Sequence, residues 1–229
     1  MASYKLVLDR MVGVHPLHKN VAIVAAGNLE TDGAIVTPMS TAMQSRLIHL
    51  EVEANLKEWI DWANAEGFDH RITSYLGYRP DHFYNFSPEH TDKTYASPRT
   101  WDFMDKLLKV SGKTEREHLP LFAGTVGEGV AREFFGFCGI QERLPTIEKI
   151  IASPMTTEVP NEPSVQFAIT GAIAANANTD NVEALMKYVK RLPAEFQVVC
   201  VRNTIRRNKS LLASPAVVGW VSTTSAELM

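Results

Sequence analysis

Cysteine is scarce in this chain, and the two cysteines present, Cys138 and Cys200, lie far apart in the sequence. Two isolated cysteines exclude the dense disulfide framework of small secreted domains. We interpret both as reduced thiols in a packed core, and we expect a cytoplasmic protein. His15 and His18 have a spacing that metal sites use, but no third ligand lies nearby, so we predict no metal site.

The chain also lacks a strong charge imbalance and long apolar runs. Its 23 basic and 26 acidic residues give a net charge of −3 and a pI near 6.2, so no overall basic field points to nucleic acid. No apolar run approaches the ~20 residues that cross a bilayer, and the first residues lack the apolar core of a signal peptide. We therefore expect neither nucleic acid nor a membrane as a partner.

A phosphate-binding loop is the third missing feature. The chain has one Gly-Lys-Thr tripeptide, Gly112 to Thr114, but Leu107 stands where the motif needs a glycine. The tripeptide also follows a predicted helix, so we interpret it as a helix C-cap and an exposed loop. Leu6 to Asp9 has the apolar-then-acidic form of a Walker B strand, but Arg10 occupies the position of the catalytic glutamate. We therefore assign no magnesium ligand here.

The apolar run Val21–Gly27 is the clearest positive signal near the N-terminus. Such a run is typical of a strand buried on both faces of a parallel sheet, and Asn28 then lies at the carboxyl edge, where ligands bind. Thr37 begins a predicted short helix that reaches Ser45. The alternating segment Leu47–Val52, just after Arg46, predicts a second strand.

Residues 54–112 predict a small helical domain. Asn55 is a candidate N-cap, and a helix over 70–79 should end before a proline. Ser97 and Pro98 predict the start of a third helix. That helix carries one apolar stripe, made of Trp101, Met104 and Leu108.

Residues 113–229 predict a mostly helical C-terminal region, with helices near 129–137, 167–175 and 182–189 and a helix or strand after Pro193. A basic group at helical spacing follows, which we interpret as a solvated face, with binding of nucleic acid or of an acidic partner as the alternative: Arg202, Arg206, Arg207 and Lys209. The predicted fold class is therefore α/β, with a partial parallel-sheet core over 1–53 followed by two helical regions.

Taken together, the Val21–Asn28 run, the Gln44–Leu47 segment and Ser97-Pro98-Arg99-Thr100-Trp101 resemble the second half of a AAA+ ATPase of the MoxR type. The resemblance implies that Asn28 is the sensor that positions the attacking water. It implies that Arg46 is a finger toward the nucleotide of a neighbouring subunit, and that Arg99 is the lid sensor. It also implies ATP and Mg²⁺, a homo-oligomeric ring and an unknown protein client.

Each of these roles has a plainer alternative. Asn28 is also an ordinary turn residue, and Arg46 an ordinary surface arginine. Arg99 would lie in the first turn of a helix, where the dipole disfavours a cation unless an anion approaches, which favours phosphate binding. At the level of function, the alternative is a non-catalytic protein, derived from such an ATPase, that keeps only oligomer or partner binding. A P-loop codon run in frame upstream of Met1, or in a second gene, would favour the ATPase.

Overall fold

The computed structural model describes residues 4–28, 39–90, 92–112, 114–141 and 144–224. The chain divides into two compact units, one of Met1–Glu53 with Ser87–Thr91 and the other of Ala54–Phe86 with Asp92–Met229. Residues 54–112 and 113–229 thus contribute to the same unit, and their separation into two domains stays a prediction. The structure is mostly helical, at 61%.

The smaller unit contains little regular structure in its described residues. These are one π-helical turn, Lys5–Asp9; two short strands, β1 (Met11–Val12) and β2 (His15–Pro16); and one short helix, α1 (Thr41–Gln44). The two strands pair in antiparallel fashion, Met11 opposite Pro16 and Val12 opposite His15. Leu6 to Asp9 therefore lie in a helical turn and form no Walker B strand.

The predicted parallel-sheet strands are not formed in the described residues. Val21–Gly27 and Leu47–Val52 both lack regular secondary structure, and Val24 is 91% exposed. A strand in a parallel sheet needs a hydrogen-bonded neighbour and a covered face, and the described part of the smaller unit supplies neither to these segments. Thr37, the predicted N-cap of the following helix, lies outside the described residues, and α1 begins after Ser40.

The larger unit is built from helices. They are α2 (Leu56–Ala65), α3 (His70–Tyr78), α4 (Pro98–Ser111), α5 (Leu119–Val126), α6 (Glu128–Gln141), α7 (Ile147–Ala152), α8 (Pro163–Asn176), α9 (Val182–Val189), α10 (Ala194–Arg207) and α11 (Pro215–Thr224). Three 3₁₀ turns connect some of them, Pro80–His82, Arg116–His118 and Lys209–Ala213. The segment after Pro193, for which the sequence left helix and strand open, is the helix α10.

Side-chain caps explain where several of these helices begin and end. The Asn55 side chain accepts a hydrogen bond from the Glu58 backbone N–H at the start of α2. Asp69 caps α3 in the same way, and α3 stops before Pro80 because proline cannot continue it. Gly112 ends α4 with a φ of 70°, a conformation that suits glycine, which confirms the predicted C-cap.

Helix α8 lies at the centre of the larger unit, because it contacts α3, α6 and α10. Its residues are buried on most sides, which is typical of a central helix. Ala168 packs with the first apolar cluster, formed mainly by α2 to α6, whereas Ile169 and Ile173 pack with the second, formed mainly by α7 to α11. Phe167 contacts both clusters, so α8 joins the two cores.

Candidate functional site

The segment Ser97–Trp101 forms a tightly defined helix start. The Ser97 hydroxyl accepts a hydrogen bond from the Thr100 backbone N–H at 3.2 Å, and the Thr100 hydroxyl accepts one from the Ser97 N–H at 2.8 Å. This reciprocal capping box fixes the first turn of α4. Arg99 therefore projects from a rigid turn, and its side chain is exposed.

Trp101 anchors the same turn in the core. Its side chain is fully buried and packs against the rings of Tyr75 and Phe134. The indole N–H donates to the His82 carbonyl oxygen at 3.0 Å, which satisfies its only polar atom. Two positions earlier, the Arg99 side chain makes no hydrogen bond or ion pair within the part of the chain that the structure describes. An unpaired cation thus lies at the positive end of a helix dipole.

A polar network surrounds His82, the residue whose carbonyl oxygen accepts from Trp101. The Arg79 guanidinium donates to Asp81, to Glu133 of α6 and to His82 Nε2, the last at 2.9 Å. Because the guanidinium only donates, Nε2 accepts, and a neutral His82 carries its proton on Nδ1. Nδ1 then donates to the Tyr75 hydroxyl oxygen at 2.6 Å.

The pKa values of this network follow its contacts. Hydrogen bonding from Arg79 lowers the pKa of Asp81 to about 2, and it raises the pKa of Arg79 itself. Burial, with the Arg79 charge in second place, lowers the pKa of His82, whereas burial raises the pKa of Tyr75. His82 and Tyr75 are therefore held neutral beside a charged triad of one arginine and two carboxylates.

Sequence reasoning missed this network. Arg79, Asp81 and His82 lie close together in the sequence and follow a helix, which is the one local signal. Glu133 lies 54 positions after Arg79 and reaches it only because α6 packs against α3. Periodicity does not reveal such a long-range partner.

Asn28 and Arg46 both lie in the smaller unit. Asn28 is exposed and lies in a segment without regular secondary structure. Arg46 is also exposed, and its Nη1 donates to the Ala42 carbonyl oxygen of α1 at 2.7 Å. Arg99 belongs to the larger unit.

The basic group at the end of α10 is only partly solvated, because Arg206 and Lys209 are exposed whereas Arg202 and Arg207 are half-buried. Arg202 Nε lies 3.5 Å from Asp61 Oδ1, and Arg206 Nη2 lies 3.3 Å from Asp61 Oδ2. Arg207 donates to the Phe68 carbonyl oxygen at 2.7 Å, and burial lowers its pKa. The arginines are partly engaged because α10 packs against α2, which places the carboxylate of Asp61 beside Arg202 and Arg206.

Both cysteines are free and buried, as the sequence predicted. Burial raises the pKa of the Cys138 and Cys200 thiols to about 12 in each case, so neither is a nucleophile near neutral pH. Among the described residues, no three histidine, cysteine or acidic side chains form a group that suits a metal ion. No helix in the described ranges is long and apolar enough to cross a membrane.

We compared the chain with family models, curated proteins and solved structures. No family model, no curated protein and no solved structure matches the chain.

Proposed function

We propose that this chain is the sensor, lid and C-terminal portion of a MoxR-type AAA+ ATPase, a cytoplasmic remodelling or chaperone-like protein that works as a homo-oligomeric ring. The observation that carries the proposal is the arrangement at the start of α4. Trp101 is buried and the capping box is formed, while Arg99 two residues earlier stays exposed and unpaired within the described ranges. An exposed arginine on such a rigid turn is suited to bind a group that does not belong to the larger unit.

The electrostatics of Arg99 favour a phosphate as its partner. A cation in the first turn of a helix faces the positive end of the helix dipole, which is unfavourable by roughly 0.3–1 kcal/mol at exposed sites. An approaching anion reverses this balance, because it is attracted both by the guanidinium and by the positive end of the helix dipole. In the proposed ATPase, that anion is the γ-phosphate of ATP bound to the same subunit.

Exposed apolar side chains of the smaller unit support a larger assembly. Ile48, Leu50 and Val52 occupy alternate positions and are 90%, 85% and 92% exposed. Several large apolar side chains exposed along one short segment favour a surface that another protein segment covers. In the proposal, the covering element is the rest of the sheet-containing core, which also holds the nucleotide.

In this proposal, the chain supplies only some of the residues that ATP hydrolysis needs. Asn28 orients the attacking water, Arg46 acts on the nucleotide of a neighbouring subunit, and Arg99 acts within its own subunit. The P-loop and its lysine are not among these 229 residues. No described group of side chains suits Mg²⁺ either, so the magnesium ligands are assigned to the same missing half.

The first test is a search of the DNA upstream of Met1, and of neighbouring genes, for a Gly-x-x-x-x-Gly-Lys-Ser/Thr codon run. In the parent ATPase so identified, Arg46→Ala should reduce hydrolysis by about 10³-fold or more while ATP binding is retained, because a finger acts on the transition state. Arg99→Ala should weaken both binding and turnover, because a lid arginine contacts the nucleotide in the ground state as well.

Mixing of subunits separates the two roles. An Arg46→Ala subunit with an intact nucleotide site should be rescued by a wild-type neighbour that supplies the finger, whereas an Arg99→Ala subunit should not. Arg116→Ala serves as the matched control, because Arg116 is an exposed arginine of the larger unit outside the Ser97–Trp101 segment. Unchanged ATPase rates for both test variants would refute the assignment of these positions.

A non-catalytic oligomerisation or partner-binding protein is the second candidate function. The same exposed apolar residues of the smaller unit favour it, because they require a partner but no nucleotide. The two candidates differ in the outcome of the P-loop search and of the parent ATPase assay.

A further inference from the structure

A partly open cavity of about 580 Å³ lies in the larger unit, beside the first turns of α8 and α10. This volume falls within the range of about 300–1,000 Å³ that is typical of small-molecule sites. Its walls combine apolar and polar side chains. The apolar part includes Phe167, Phe196 and Val199, and the polar part includes Asn161, Gln166 and Glu195.

Two phenylalanine rings form much of the apolar wall. Phe167 of α8 and Phe196 of α10 pack edge to face, with their ring centroids 5.0 Å apart. Phe196 is buried and Phe167 is half-buried, so both rings are held by the core and still border the cavity. An aromatic ligand fits beside them, because aromatic rings attract one another beyond the burial of apolar area.

Gln166 directs a hydrogen-bond acceptor into the cavity. The residue is only 5% exposed, and its Nε2 donates to the Pro160 carbonyl oxygen at 2.8 Å. Because a carbonyl oxygen only accepts, this bond fixes which end of the amide faces Pro160. The other end, Oε1, accepts no hydrogen bond from the described residues and is accessible to solvent, so it faces the cavity.

Glu195 is the only charged side chain among the described residues that line the cavity. It makes no hydrogen bond or ion pair within the described ranges, and it is exposed, so it lies at the open side of the cavity. Its negative charge also offsets the positive end of the α10 dipole, because Glu195 lies in the first turn of that helix.

These polar groups favour a cation that donates hydrogen bonds. The amide oxygen of Gln166 and the carboxylate of Glu195 are both acceptors, and the carboxylate would repel an anion. Asn161 carries a donor and an acceptor, so it does not change this preference.

We propose that this cavity binds a small primary amine with an aromatic body. The ammonium group pairs with the Glu195 carboxylate and donates to Gln166 Oε1, and the aromatic body packs against Phe167, Phe196 and Val199. This site is independent of the proposed ATPase role, since none of its residues belongs to that assignment.

The test uses the full chain at pH 7 and phenethylamine as the probe. We expect saturable shifts of the backbone amide NMR signals of Phe167, Phe196 and Val199 on titration with phenethylamine. Binding should be tighter for phenethylamine than for 2-phenylethanol, which lacks the charge, and tighter than for ethylamine, which lacks the ring.

Matched variants locate the ammonium group. Glu195→Gln should weaken phenethylamine binding about fivefold, the upper end for an exposed ion pair, and should leave 2-phenylethanol binding unchanged. Glu162→Gln is the control, because Glu162 is an exposed glutamate at the start of α8 that does not line the cavity. It should change the affinity for phenethylamine by less than about twofold, because solvent and salt screen a charge outside the site.

Absence of amide shifts at about 10 mM phenethylamine, which is enough to detect a millimolar dissociation constant, would overturn the proposal. Equal weakening by Glu195→Gln and Glu162→Gln would also overturn it, because the amine would then respond only to the overall charge. Binding of 2-phenylethanol as tight as that of phenethylamine would refute the ammonium assignment.

Discussion

His82 connects the buried core to a charged surface network. Its ring accepts from Arg79 on one side and donates to Tyr75 on the other, while its backbone oxygen receives the Trp101 indole. A proton added at Nε2 would face the Arg79 guanidinium, and the Asp81 and Glu133 carboxylates compensate only in part. Burial therefore dominates, and the pKa of His82 lies below its ordinary value of 6.5.

This lowered pKa predicts a pH dependence of stability. As pH falls below about 6.5, His82 of the unfolded chain takes up a proton before His82 of the folded chain, so the free energy of unfolding decreases. In urea unfolding between pH 7 and pH 5, His82→Gln should show a smaller decrease than the wild type. A wild-type slope in His82→Gln would contradict this prediction.

Asp81 affects the free energy of unfolding in a separate pH range. Its pKa of about 2 means that its contribution is present at neutral pH and is lost only in strong acid. The two effects are therefore distinguishable in one pH series.

At the scale of elements, the crossing of α3 and α8 depends on a glycine. A Cβ atom placed on Gly171 of α8 would lie 1.8 Å from the Ser74 hydroxyl oxygen and 3.1 Å from Ser74 Cβ of α3. The two helices approach this closely because Gly171 has no side chain.

We predict that Gly171→Ala destabilises the larger unit by about 1–3 kcal/mol, the usual cost of overpacking a core. The matched control is Gly136→Ala in α6, where a Cβ would meet no atom within 4 Å. That change should stabilise the protein by roughly 0.5–1 kcal/mol, because alanine favours a helix over glycine. Ser74→Gly should partly rescue Gly171→Ala. Similar urea midpoints for the two alanine variants would refute the close crossing.

For the molecule as a whole, the absence of a P-loop from these 229 residues predicts whether the chain can hydrolyse ATP. The isolated chain should show no ATPase activity above a heat-inactivated control, because it offers no P-loop lysine for the phosphates. Phosphate release in the presence of ATP and Mg²⁺ is the measurement. Turnover that is sensitive to Asn28→Ala would contradict this prediction.

The exposed apolar residues of the smaller unit lead to a second expectation for the whole chain. We predict self-association at micromolar concentration, reduced in the triple variant Ile48→Ser, Leu50→Ser and Val52→Ser. Val110→Ser is the control, because Val110 is 90% exposed but lies on α4 of the larger unit. Sedimentation velocity measures the outcome, and a compact wild-type monomer would count against the prediction.

The sequence by itself determined most of the helical part of this protein. The start of α2 at Asn55, the start of α4 at Ser97 and its end at Gly112 follow from local capping groups, which act within a few residues. The stripe of Trp101, Met104 and Leu108 was likewise predictable, because helical periodicity places these residues on one face. Such signals are local and need no knowledge of the remaining chain.

Only the tertiary structure decided the features that depend on distant residues. Val21–Gly27 has the composition of a buried strand, but a strand forms only when other strands supply hydrogen bonds, and no described strand pairs with this segment. The pairing of Asp61 with Arg202 and Arg206, and that of Arg79 with Glu133, join positions far apart in the sequence. A cavity between α2, α3, α8 and α10 arises in the same way, from helices that meet only after folding, and no local pattern encodes that meeting.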